Sequence, residues 1–129
     1  MRVVIAGARI AGLALAGELQ GRDHDETVVE EAPQLRTGGA AISVWNNGGL
    51  ALRKLGTELD GHGRVIDRLE SWSSKGSRVG WVDAARLNHK FGIDAVTIPR
   101  SELVEHLADR LHPGTIRFEA PCEGVPLLG

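Results

Sequence analysis

The feature that most restricts the fold of this chain is a β-favouring apolar run at its start that breaks on a glycine. Val3 to Ala6 is continuous and largely β-branched, the pattern of a strand buried on both faces of a parallel sheet. The run ends at Gly7. From Ile10 to about Gln20, the residues Ile10, Ala11, Leu13, Ala14, Leu15 and Leu19 surround nearly the whole circumference of a helix, which predicts packing against a sheet. Gly21 stops that helix. Thr27-Val28-Val29 then supplies a second short strand, closed by Glu30, Glu31 and the turn-forming Ala32-Pro33. Strand, glycine turn, helix and strand in this order form a βαβ unit, whose crossover is right-handed in nearly all cases.

Gly7-Ala8-Arg9-Ile10-Ala11-Gly12 occupies the place of a dinucleotide-binding fingerprint, directly after the first strand and opening the first helix. In that motif the first glycine permits a tight turn, the second lets a pyrophosphate approach the backbone, and the third lets helix and strand pack closely. Arg9 stands at the second position, where a side chain crowds the pyrophosphate and a cation meets the positive end of a helix dipole. Against that, a guanidinium can swing aside and pair with a phosphate. Glu30 follows Gly7 by 23 residues, close to the spacing at which an acid accepts hydrogen bonds from a ribose. A carboxylate there disfavours a 2′-phosphate, so FAD or NAD is expected rather than NADP. The plainer reading makes Gly7 and Gly12 a simple βα turn and Glu30 a solvated strand end.

Downstream, Thr37-Gly38-Gly39 reads as a loop, Ile42 to Trp45 as a brief extended piece, and Leu50 to Leu55 as a short helix capped by Asn46 or Asn47 and ended by Gly56. Val65 to Ser73 and Arg78 to Val82 predict an antiparallel hairpin about Ser74-Lys75-Gly76-Ser77. Val96 to Ile98 reads as another strand. Ser101 is placed to cap a helix with Leu103, Val104, Leu107 and Leu111 on one face, Pro113-Gly114 ends it, and Thr115 to Phe118 reads as a third parallel strand. The three tryptophans, Trp45, Trp72 and Trp81, are assigned to core or hairpin packing. The expected fold is thus α/β, a partial Rossmann-like βαβ domain with a small parallel sheet plus an antiparallel β hairpin, residues 1–129 forming a single domain.

Charge and composition narrow the function. The 129 residues are 42% hydrophobic and 25% charged with a net charge of -2, and the basic residues are scattered, so neither nucleic acid nor a membrane surface is an expected partner. Cys122 is the sole cysteine and excludes an internal disulfide. With no apolar run suited to export, the expected location is cytoplasmic. His24, His62, His89, His106 and His112 are dispersed, and Asp60, Asp67, Glu70 and Asp83 lack paired spacing, so no metal site and no acid-base pair is expected, the acids reading as solvated loop residues.

Beyond these readings, Val3 to Pro33 resembles the opening of the aromatic-ring-hydroxylase type of FAD-dependent monooxygenases, the class A flavoprotein monooxygenases. Leu35-Arg36, then Gly39-Ala40-Ala41-Ile42-Ser43, Asn47 and Leu55-Gly56, is similar to that family's loop and second helix, and Ile98-Pro99-Arg100-Ser101-Glu102-Leu103 to its later arginine motif. The resemblance spans essentially the whole chain and raises FAD above NAD. It implies that Gly7 and Gly12 face the pyrophosphate, Glu30 the adenosine ribose, and Arg36 and Arg100 the phosphates or the ribityl region. With the remainder of the fingerprint, the candidate cofactor-binding residues are Gly7, Ala8, Ile10, Ala11, Gly12, Glu30, Arg36 and Arg100. Without the family, Arg36 is a solvated loop cation and Arg100 an ordinary residue before a helix. Arg9, Ala41, Asn46 and Glu31 depart from the family pattern. In the family NAD(P)H supplies electrons and a small aromatic or similar substrate is oxygenated. The later Asp-Gly and Gly-Asp segments and the substrate domain are not found before Gly129, so the expectation is a truncated FAD-binding domain without catalytic residues or hydroxylase activity of its own, with exposed sheet edges that invite self-association. Two rivals are a remnant or interaction module that has lost the cofactor, for which Arg9 speaks, and an NAD-binding oxidoreductase fragment.

Overall fold

The computed structural model of the chain describes residues 1–36 and 38–124. In chain order the elements are β1 (Arg2–Ala6), α1 (Ile10–Gln20), β2 (Asp25–Val29), β3 (Ala41–Val44), α2 (Asn46–Lys54) and β4 (Arg64–Val65). They continue with β5 (Arg68–Trp72), β6 (Arg78–Asp83), α3 (Ala84–Phe91), β7 (Val96–Pro99), α4 (Arg100–Ala108) and β8 (Ile116–Arg117). The chain forms two compact units, residues 1–39 with 100–129 and residues 40–99.

The first unit is the predicted βαβ layer. β1 and β2 run parallel in the register Arg2 with Asp25 through Ala6 with Val29, and β8 adds a third parallel strand on the far side of β2. Leu13, Ala16 and Gly17 of α1 and Leu103, Val104 and Leu107 of α4 are buried, with Val28 of β2 and Ile5 of β1. Two sequence expectations are corrected here. β1 is covered on one face only, because Val4 is 64% exposed while Ile5 is buried. Likewise α1 buries one side, and Leu15 on the other is exposed. α4 begins at Arg100, so Ser101 lies inside its first turn rather than at its cap, and the helix ends at Ala108, short of Pro113.

The second unit holds the antiparallel strands. β7 is the centre of a sheet with β3 and β4 on its two sides, and β5 pairs with β6 as the predicted hairpin, except that Val65, expected in its first strand, lies in β4 and pairs with Val96 of β7. α2 starts earlier than its apolar pattern suggests, at Asn46, and neither asparagine caps it; Trp45 takes the cap position without a side-chain bond. Asn46 is instead buried, its amide donating to Asn88 Oδ1 at 2.8 Å and to the Ile93 carbonyl at 2.7 Å. α3 is an element the sequence pattern did not predict. Asp83, read as a loop acid, caps it by accepting from the Arg86 N–H at 2.9 Å, and Gly92 ends it at φ 61°. Trp72 and Trp81 are exposed on the hairpin rather than packed in a core, Trp81 lying 4.8 Å beneath the Arg68 guanidinium. Among the described residues no helix is long and apolar enough to cross a membrane.

Candidate functional site: the bend between β1 and α1

The bend is built as the glycine spacing predicts. Gly7 sits at φ 103°, a backbone region closed to most side chains, and its N–H donates to the Val29 carbonyl at 2.7 Å, which ties the end of β1 to the end of β2. Gly12 has a different reason for being glycine. A Cβ there would lie 2.1 Å from the Gly7 carbonyl oxygen and 3.3 Å from Ile5 Cγ2, so the first turn of α1 rests directly on the bend. Its work is therefore done toward the strand. Ile10 and Ala11 are the first two residues of α1, no side chain caps that turn, and its first turn has no acidic residue. The opening amides of a helix lack intrahelical partners, which makes this end suited to an anion.

Glu30 is aimed at the bend. Its Oε2 accepts from the Ala8 N–H at 2.9 Å and its Oε1 from the Ala32 N–H at 3.0 Å, and the residue is only 5% exposed. Its backbone is clamped as well, the N–H donating to Arg117 O and the carbonyl accepting from Ala120 N, both at 2.9 Å. The amide of Ala32, then that of Ala8, hold the Glu30 carboxyl below its ordinary value of 4.5 against the opposing effect of burial, with smaller help from the charges of Arg36 and Arg9. Ala8 is thus buried and its amide engaged by Glu30. Arg36 hydrogen-bonds Glu31 and lies 3.8 Å from Glu30 Oε1. Arg100, at the first turn of α4, approaches Gly39 so closely that a Cβ there would be 3.3 Å from its Cδ.

Two hollows flank the bend. One, of about 210 Å³, is lined by Gly7, Arg9, Glu30, Glu31, Arg36 and Cys122 among others. The second, of about 230 Å³, is lined by Ala8, Arg9, Arg36, Gly38, Arg100 and Val104. Arg9 and Arg36 belong to both. Of the predicted residues, Gly7, Ala8, Glu30, Arg36 and Arg100 thus gather around one loop, with Ile10 and Ala11 at its helical end and Gly12 beneath it. Cys122, to which the sequence assigned no part in the site, is exposed and also lines the first hollow; a lone thiol carries no local signal of its position.

No protein-family model matches the chain, but relatives and solved structures do. It is 36% identical over 121 residues to Monooxygenase 1 of Arabidopsis thaliana, covering 90% of this chain and 28% of that protein. It is 28% identical over 133 residues to the FAD-dependent monooxygenase prhF of Penicillium brasilianum, covering 100% of this chain and 28% of that protein. Its fold matches the crystal structure of Klebsiella pneumoniae HpxO complexed with FAD and uric acid, with a TM-score of 0.78 and 26% identity over 92% of this chain and 31% of that one. Fold and sequence together define a relative of the FAD-dependent monooxygenases of the aromatic-ring-hydroxylase type. The chain spans about 30% of the length of the relatives it matches.

Proposed function

We propose that this chain forms the adenosine and diphosphate side of an FAD site, and that it serves an NAD(P)H-driven monooxygenase acting on a small aromatic or similarly activated substrate. The observation that carries this reading is the convergence at one bend of Gly7 at φ 103°, the close seat of Gly12 under the Gly7 carbonyl, and a buried Glu30 carboxylate pointing at the same loop. The residues suit the cofactor. Glu30 has lone pairs left on both oxygens for ribose hydroxyls, the open amides of Ile10 and Ala11 face the place of a diphosphate, and Arg36 and Arg100 supply charge. A Cβ at Gly12 would destroy the seat of that turn.

Bound FAD would supply the redox and oxygen-transferring chemistry. The described residues bind and orient; none is assigned a catalytic role. Hydroxylation also needs walls that keep water from the flavin ring, and the described hollows hold only the two ends of the bend. The 129 residues alone are therefore expected to bind FAD without hydroxylating a substrate. The edge of β1 opposite β2 is where self-association of the isolated chain would begin.

Flavin fluorescence and absorbance titrations of the purified chain test the reading. FAD should bind more tightly than NAD, and NAD(P)H with oxygen should yield no substrate-dependent product. Tighter binding of NAD, or substrate-dependent hydroxylation by the chain alone, would overturn the corresponding part. The rival reading, a fold kept after the cofactor was lost, draws on one observation, the side chain of Arg9 at the mouth of the bend.

A further inference from the structure

We propose that the Arg9 guanidinium grips the diphosphate, taking over the part that a bare glycine backbone plays at this position of the fingerprint; this rests on the FAD reading above. The backbone of Arg9 is at φ -107° and ψ 179°, an extended conformation open to any residue, so replacing glycine here strains nothing. What the replacement removes is clearance, since a Cβ now stands where the diphosphate would approach the amides. With the closest approach to the backbone narrowed, the side chain takes over part of the hold on the anion, and its surroundings are arranged for that.

Arg9 is exposed and lines both hollows, between the Glu30 side and the Arg100 side. Arg36 is engaged by Glu31, whereas neither Arg9 nor Arg100 has a hydrogen-bond or ion-pair partner among the described residues. The second hollow is lined by three arginines with Ala8, Gly38 and Val104, and no carboxylate is among its lining residues. Such a cluster is self-repelling, offset by the Glu30 and Glu31 carboxylates on the side of the first hollow, and Arg9 also stands at the positive end of α1. A diphosphate relieves both and offers the fork-shaped donors of arginine their best acceptor.

The grip differs from an amide cradle in being ionic, and so in responding to salt. Added salt shortens the screening length from about 10 Å at 0.1 M to about 3 Å at 1 M, which weakens an exposed charge pair far more than a set of backbone hydrogen bonds. FAD is titrated into the wild-type chain, Arg9→Gln, which keeps the bulk and removes the charge, and Arg9→Gly, which reopens the backbone, each at low and high salt, with far-UV circular dichroism confirming the fold. The expected result is a wild-type Kd that rises steeply with salt, a Kd at least about 10-fold weaker for Arg9→Gln at low salt, and a much flatter salt response for both variants. Equal or tighter FAD binding by Arg9→Gln, or an unchanged salt response in Arg9→Gly, overturns the role of Arg9 while leaving the FAD reading in place. No FAD binding by any of the three proteins overturns the FAD reading and this inference with it.

Discussion

Replacing Gly12 by alanine isolates the packing on which the bend depends. The new Cβ would stand 2.1 Å from the Gly7 carbonyl oxygen, with Gly7 C and Ile5 Cγ2 each at 3.3 Å. The nearest of these atoms is backbone and cannot swing away. The Gly7 peptide is also tied to Val29 by its N–H at 2.7 Å, so yielding means moving α1 off the sheet or breaking that tie. Overpacking of this kind costs about 1–3 kcal/mol and sometimes more, while alanine in place of glycine inside a helix returns up to about 1 kcal/mol. With more than an ångström to be relieved, strain wins, and a net loss of about 2 kcal/mol is expected. Gly17, in the same helix, is the control. A Cβ there meets Arg110 Nη1 at 3.6 Å and Leu111 Cδ2 at 3.9 Å, ordinary contacts, so Gly17→Ala should stabilise by up to about 1 kcal/mol. Urea unfolding followed by circular dichroism at 222 nm measures both; tryptophan fluorescence would not, because Trp45, Trp72 and Trp81 all lie in the other unit. If Gly12→Ala were neutral or stabilising, like Gly17→Ala, the close seat of helix on bend would be wrong.

Three further outcomes follow from the same geometry. Gly7→Ala should cost about 1–3 kcal/mol in the same unfolding assay through its φ of 103° rather than through crowding, since nothing lies within 4 Å of the added Cβ. Glu30 has a folded-state pKa below its ordinary 4.5, so its contribution is complete above that pH and is lost as pH falls through the lowered folded value; urea midpoints measured from pH 6 to pH 3 should fall less steeply in Glu30→Gln than in wild type. Asn88→Ala should cost about 2–4 kcal/mol, because it strands one N–H of the Asn46 amide, the Ala95 N–H and the Ile66 carbonyl that Asn88 now serves, and tryptophan fluorescence on urea unfolding reads that unit directly.

The elements that were legible in the sequence are those whose pattern is local. The run from Val3 to Gly12 encodes strand, bend and helix within a few residues, and Ser74 to Ser77 marks the hairpin by composition alone. The open face of β1 was not legible, because Val4 belongs to a run that reads as buried whichever side is covered. α3 was missed because its cap, Asp83, closes a strand, so one residue serves two elements and no loop announces the change. The placing of Asn46 shows the same limit: a residue that caps by propensity was drawn instead into a buried amide network with Asn88, 42 positions away. In the site, the aim of Glu30 was readable from its spacing to Gly7, whereas Cys122 and the sharing of Arg9 and Arg36 between two hollows depend on how β8 and α4 return to the bend.

Backbone amide chemical shifts recorded while ADP is added to the chain test the central claim most directly. Binding through the bend should move the resonances of residues 7–12 together with Glu30 and Arg36, and leave the hairpin of residues 68–83 unmoved. Shifts confined to residues 40–99, or saturation by ADP with residues 7–12 and Glu30 unchanged, would contradict the claim that this bend and this carboxylate hold the nucleotide.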